Sequence, residues 1–182
     1  MSELQEAWLR AWRFAASAHA GQSIPSRELP YLVHLGAVSM EVMVAHQLEP
    51  FERPVLALSC ALLHDTLEDT QASEVELETL FGVDVLYGVR ALTKNPDLPK
   101  DQAMSDSLRR IRLQPREIWA VKLADRISNL SQPPQHWTPD KIQTYRHEAQ
   151  LILSELGACH AGLANRLAQR IAVYPPPRDA GW

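Results

Sequence analysis

Hydrophobic residues recur every three to four positions along most of the chain, and apolar and polar residues nowhere alternate long enough to predict a strand. From Leu4 to His19, the positions Ala7, Trp8, Ala11, Trp12, Ala15, Ala16 and Ala18 mark a first helix, with Gly21 as its stop. Gln22 to Pro30 carries two prolines among polar residues and reads as a loop, after which Tyr31-Leu-Val-His34 leads into a helix to about Gln47. Pro54 opens a third helix, whose apolar run from Ala57 reaches His64-Asp65. Ser73 and Glu76 form a capping box for a helix to Phe81, closed by Gly82, and Val83 to Leu92 is a further helical piece. Asn95 to Pro99 breaks the pattern, and Asp101 to Leu113 is polar and basic. Pro115 starts the next helix, Thr138-Pro139 a long one to about Leu156 with Gly157 ending it, and Ala161 to Val173 a last one. These elements predict an all-α protein, one bundle of roughly eight to ten helices spanning residues 1–174, with 175–182 as an extended tail.

Composition narrows this picture. A chain of 182 residues, 46% hydrophobic and 22% charged, buries one core without disulfides. No apolar stretch is long enough to span a membrane, and Met1-Ser-Glu-Leu-Gln-Glu lacks the features of a secretory signal, so a cytoplasmic protein is expected. The two cysteines make no disulfide framework, and Cys60, inside the apolar run, reads as a buried reduced thiol. A net charge of −4 speaks against general nucleic-acid binding, so an anionic substrate must be met by locally placed Lys and Arg.

Chemistry enters where the apolar run stops. His64-Asp65 closes it, and Glu68-Asp69 follows one turn later. Charge at the end of a core helix is costly unless a metal or partner compensates it. On the helix after Pro115, Asp125 shares a face with Ile118, Val121 and Asn129, a second ionisable group directed inward. His34 stands at the head of another helix. One His or Asp at a helix end is ordinarily a cap. Two imidazoles and two carboxylates at three core-adjacent positions instead make a mixed N/O set suited to Mn²⁺, Fe²⁺, Zn²⁺ or Mg²⁺, and the lack of thiolates disfavours a structural zinc. Glu68 and Asp69 are placed to act as general base toward a water.

His34, His64-Asp65 and Asp125 resemble the pattern of the HD superfamily of metal-dependent phosphohydrolases. Longer strings are similar to the hydrolase domain of the RelA/SpoT family: Phe14-Ala-Ala-Ser-Ala-His-Ala-Gly-Gln22, Pro30-Tyr-Leu-Val-His34, Ala61-Leu-Leu-His-Asp-Thr-Leu-Glu-Asp-Thr70, Phe81-Gly82 and Val121-Lys-Leu-Ala-Asp-Arg-Ile-Ser-Asn-Leu130. The chain to about Val173 resembles a stand-alone small alarmone hydrolase of the HD-domain fold. The resemblance implies Mn²⁺-dependent removal of the 3′-pyrophosphate from the nucleotide (p)ppGpp. It implies His34, His64, Asp65 and Asp125 as metal ligands, Glu68 and Asp69 as activators of the attacking water, and Asn129 as a nucleotide contact. Lys122 and Arg126, which flank Asp125, are candidates for the phosphates. His19 matches a family position and reads as a hydrogen-bonded core histidine.

The family's Arg-Lys pair, its Arg stacking on guanine, is missing from Ser23-Ile-Pro-Ser-Arg-Glu-Leu29, where Arg27 is the nearest substitute. A stacking guanidinium is worth on the order of 1 kcal/mol. This departure brings (p)ppApp or a 3′-phosphorylated dinucleotide in as alternative substrates, and a non-catalytic nucleotide-binding regulator is the remaining alternative. Leu35 stands where the family has Pro. The reading calls for a small-molecule partner, neither nucleic acid nor membrane, and leaves room for a homo-oligomer.

Overall fold

The computed structural model describes residues 2–25, 28–131 and 133–176, apart from the side chains of Lys100 and Asp101. In chain order the helices are α1 (Glu3–Ala18), α2 (Leu32–Leu48), α3 (Pro54–Leu63), α4 (Thr66–Asp69), α5 (Glu74–Phe81), α6 (Val83–Leu92), α7 (Lys100–Arg112), α8 (Arg116–Asn129), α9 (Pro139–Leu156) and α10 (Ala161–Ala172). A 3₁₀ turn, Gly157–Cys159, joins the last two. Among the described residues the sole β pairing is an isolated bridge between Ser23 and Pro30. The all-α expectation is met.

Local chemistry sets the helix ends. Ser73 and Glu76 form the expected capping box on α5, and Ser2 with Gln5 forms another on α1 that the apolar pattern did not reveal. Thr138 caps α9 by accepting from the Lys141 N–H. Gly82, at φ 87°, supplies the left-handed residue that lets α5 stop and α6 begin at once.

Two helices lie inside the others. Every α3 residue from Leu56 to Leu63 is buried, and so is every α8 residue from Ala120 to Ile127. A helix buried on all sides belongs at the centre of a bundle. Each buried leucine there adds about 1.5–3 kcal/mol of apolar burial. The α2 helix packs against both, α1 covers α3, and α9 and α10 cover α8. Glu117 is buried at the head of α8, where its carboxylate accepts the Arg53 N–H at 3.0 Å and so caps α3. The free cysteines Cys60 and Cys159 are both buried, and burial pushes both thiols up, Cys159 to about 12.

One expectation changes, and one segment left without an assigned element gains one. The run from Ala57 does not carry its helix through His64-Asp65: α3 stops at Leu63, whose carbonyl accepts the Thr66 hydroxyl at 2.6 Å, and α4 starts afresh. Such local side-chain bonds compete with continued helix. The polar segment after Pro99 is helical as α7, turning Leu108 and Ile111 into the core one turn apart, with Met104 packed against it. Residues 177–182 of the expected tail lie outside the described residues, while Tyr174 is buried in the core.

Among the described glycines, the tightest surroundings are at Gly88 of α6. A Cβ there would stand 2.6 Å from Ile118 Cδ1 and 2.7 Å from Cys60 Sγ, both on fully buried residues. Alanine gains up to about 1 kcal/mol in helix propensity. Overpacking a closed core costs about 1–3 kcal/mol and wins because neither neighbour has room to move. Gly88→Ala is therefore expected to lower the denaturant midpoint with an unchanged slope; a midpoint at or above that of the parent would contradict this packing.

Candidate metal centre

Each candidate ligand sits where a central helix starts or stops. His34 is in the first turn of α2, His64 and Asp65 occupy the break between α3 and α4, and Asp125 lies in the last turns of α8. Because α2, α3 and α8 pack on one another, their polar ends meet at one point. His34 Nε2 lies 3.3 Å from His64 Nε2, 3.6 Å from Asp65 Oδ2 and 3.6 Å from Asp125 Oδ1. His64 Nε2 lies 2.9 Å from Asp65 Oδ2 and 3.7 Å from Asp125 Oδ1.

These spacings test the fit of a metal. Donors about 2.1 Å from one ion at right angles to tetrahedral angles are separated by roughly 3.0–3.4 Å. The donors here stand 2.9–3.7 Å apart, bracketing that range, so shifts of a few tenths of an ångström would close all four on one ion. The imidazoles are also turned the right way. His64 Nδ1–H donates to the Ala61 carbonyl at 2.9 Å, and His34 Nδ1 pairs with the Ser128 hydroxyl at 3.0 Å, which directs both Nε2 atoms at the common point. Two facing imidazole nitrogens make sense around a shared cation. His34, His64 and Asp125 group most tightly, their donor atoms all within 4.8 Å of one another, and Asp65 joins them through Oδ2.

Electrostatics point the same way. Burial would lower the His64 pKa, but the Asp65 charge and hydrogen bonds to Asp125 and Asp65 outweigh it and raise it to about 10. Burial would raise Asp125, yet Lys122 and His64 hold it well below the usual carboxylate range, and His64 with His34 does the same for Asp65. The pocket thus keeps two carboxylates ionised and asks for positive charge.

Around the four donors, Lys122 Nζ donates to Asp125 Oδ2 at 2.9 Å and the Asn129 amide to Asp125 Oδ1 at 2.5 Å. Arg126 turns elsewhere: its buried guanidinium lies 4.1 Å from the Tyr145 ring centre and reaches Glu148 at 3.5 Å. Glu68 accepts from Lys94 twice, from Nζ at 2.8 Å and from the backbone N–H at 3.0 Å. Asp69 is raised by burial and by the Asp65 and Glu68 charges, against a hydrogen bond from Gln22. Arg27 lies outside the described residues.

Three neighbours were not legible as site residues. The Tyr31 hydroxyl donates to Asp65 Oδ2 at 2.5 Å, and burial together with the Asp65 charge pushes its pKa up, so it stays a donor. Its position three before His34 was the available signal. Ser128, beside Asn129, and Lys94, one of several cations without a distinguishing pattern, are the others.

A helical scaffold that closes a His, a His-Asp pair and a remote Asp around one point defines an HD domain. The chain belongs to the HD domain family, whose model matches residues 11–169. It is 30% identical over 166 residues to guanosine-3′,5′-bis(diphosphate) 3′-pyrophosphohydrolase MESH1 of Danio rerio, covering 88% of this chain and 90% of that protein. It is 32% identical over 153 residues to the bifunctional (p)ppGpp synthase/hydrolase SpoT of Escherichia coli K12, covering 81% of this chain but 21% of SpoT. Among solved structures, a metazoan orthologue of SpoT described as hydrolysing ppGpp superposes with a TM-score of 0.79 at 28% identity, over 91% of this chain and 94% of that one.

Proposed function

We propose that this chain is a divalent-metal-dependent pyrophosphohydrolase that removes the 3′-pyrophosphate from (p)ppGpp, giving GDP or GTP and pyrophosphate. The observation that carries the reading is the meeting of His34, His64, Asp65 and Asp125 at one buried point with Glu68-Asp69 one turn away. The likeness over nearly full length to MESH1, named for this reaction, supports the substrate class. The four residues are the ligands, and the mixed N/O set suits Mn²⁺. A divalent ion held there supplies Lewis acidity to a phosphoryl oxygen and lowers the pKa of a water. Glu68 and Asp69 orient that water and take its proton, for in-line attack at the phosphorus nearest the ribose. The bond from that phosphorus to the 3′ oxygen breaks, the 3′ oxygen gains a proton, and pyrophosphate leaves whole.

Lys122 and Asn129 fix Asp125, and Asn129, exposed at the end of α8, is placed to meet the nucleotide. Lys94, beside Glu68, brings positive charge to the phosphates. Arg126 acts through its packing on Tyr145. No helix among the described residues is long and apolar enough to cross a membrane; a cytoplasmic location is part of the proposal.

A second reading, an adenine alarmone, is favoured by the loop. The described flanks of this loop pair through Ile24 N–H to Leu29 O and Tyr31 N–H to Gln22 O, each 2.9 Å, and the family's Arg-Lys pair is missing from its sequence. Purified protein with Mn²⁺ should release pyrophosphate from ppGpp in a panel with ppApp and a 3′-phosphorylated dinucleotide. Rapid ppApp turnover without ppGpp turnover would reassign the base, and nucleotide binding without turnover under any divalent metal would make the chain a regulator.

A further inference from the structure

His19 is a buried ionisable group beside the site that the proposed reaction does not use. It ends α1, is 5% exposed, and touches both halves of the site through one intermediary each. Its Nδ1 is 2.6 Å from Gln22 Oε1, and Gln22 in turn hydrogen-bonds Asp69. Its ring stacks on Tyr31, with centroids 4.9 Å apart and planes at 22°, and Tyr31 holds Asp65.

The proton positions follow from the acceptors. An amide oxygen only accepts, so His19 Nδ1 carries the hydrogen. The Gln22 oxygen is thereby committed to His19, and its NH₂ is left for the Asp69 carboxylate. The opposite orientation would set an amide oxygen against a carboxylate oxygen. His19 Nε2 is then an acceptor, and it is buried with no hydrogen-bond partner among the described residues. A position chosen for packing alone would favour an apolar ring, because an unpaired buried nitrogen opposes folding. What the imidazole adds is the Nδ1–H.

We infer that His19 is a positioning residue: through Nδ1–H it locks the Gln22 amide in the one orientation that aims an N–H donor at Asp69. This rests on the role proposed above for Asp69, which is faced by the Asp65 and Glu68 carboxylates on its own segment and by His19 and Gln22 from the other side. Without the Gln22 donor, burial and the repulsion from Asp65 and Glu68 lose a counterweight, so Asp69 gains a proton at higher pH and loses its fixed direction.

Three variants separate the donor from the ring. His19→Phe keeps the ring and removes the N–H, His19→Asn keeps an N–H near the Nδ1 place without the ring, and Gln22→Leu removes the intermediary. With ppGpp and Mn²⁺, His19→Phe and Gln22→Leu are expected to lose about tenfold in kcat, the low end for a lost supporting hydrogen bond. KM and calorimetric Mn²⁺ affinity stay unchanged, and the acid limb of kcat moves to higher pH. His19→Asn recovers most of kcat. Equal losses in all three, or losses seen in KM and Mn²⁺ affinity with the acid limb in place, overturn the inference in favour of a packing role.

The ¹⁵N spectrum of the unsubstituted protein reads the tautomer directly. An Nδ1–H imidazole and a Gln22 amide protected from exchange, with that protection lost in His19→Phe, support the inference, and an Nε2–H imidazole overturns it whatever the activity. A parent protein that releases no pyrophosphate from any nucleotide retires the hydrolase reading, and the tautomer and Gln22 protection still decide the relay.

Discussion

Asp125→Ala is expected to abolish divalent-metal binding and pyrophosphate release together. The substitution removes a donor from the group formed with His34 and His64 and also strips Lys122 of its buried partner. An uncompensated buried charge costs about 3–5 kcal/mol, so the variant would also lose stability and its inactivity alone would be ambiguous. Adding Lys122→Met resolves this, since it replaces the orphaned ammonium with an apolar chain of similar length. The double variant should regain most of the denaturant midpoint without regaining metal or turnover. A thermal scan is the direct check. Ligand at about 100 times its dissociation constant stabilises a folded protein by about 2.7 kcal/mol, so Mn²⁺ should raise the melting temperature of the parent and leave both variants unmoved. A full Mn²⁺ response in Asp125→Ala would remove Asp125 from the ligand set.

The four proposed ligands were visible in the sequence because each interrupts something regular. His64-Asp65 ends an apolar run, Asp125 breaks an apolar face, and His34 opens a helix after a proline loop. The break at Leu63 was not visible, because it depends on the Thr66 hydroxyl reaching back to a carbonyl, and threonine is equally at home in a helix that continues. The α7 helix was obscured for the opposite reason: Met104, Leu108 and Ile111 keep helical spacing, but the nine polar or charged residues from Lys100 to Arg112 outweigh them in any local window.

Long-range pairs are the other class that pattern could not reach. Asn129 stands four residues after Asp125, so their hydrogen bond lies within one helical turn and local reasoning finds it. Lys94 meets Glu68 across 26 residues, and Tyr31 meets Asp65 across 34. The meeting of Lys94 with Glu68 depends on how α6 ends. Arg110 of α7 donates to the carbonyls of Arg90, Ala91 and Thr93, pinning the chain just where the Lys94 N–H must face Glu68. Nothing near Glu68 in the sequence announces that a cation on α7 holds its partner.

Glu68→Gln and Asp69→Asn are each expected to cut turnover by about 10²–10⁴-fold while the Mn²⁺-induced rise in melting temperature persists. Neither residue belongs to the converging donor group, so metal binding and turnover should part company here, unlike in Asp125→Ala. The two carboxylates are held differently. Glu68 is fixed by two donors from Lys94, whereas Asp69 is raised by burial and by its acidic neighbours. A base works only above its pKa, so activity should fall as pH drops through the raised Asp69 value, at higher pH than for an ordinary aspartate. Lys94→Met is the control for Glu68. If Glu68 served only to anchor Lys94, the two variants would lose equally. The proposed role in activating water predicts the larger loss in Glu68→Gln, with Lys94→Met expressed chiefly in KM through weaker attraction of the phosphates. Near-parental kcat in both Glu68→Gln and Asp69→Asn would move the proton-accepting function to another group and dissolve the division of labour between the ligands and the acidic turn that follows them.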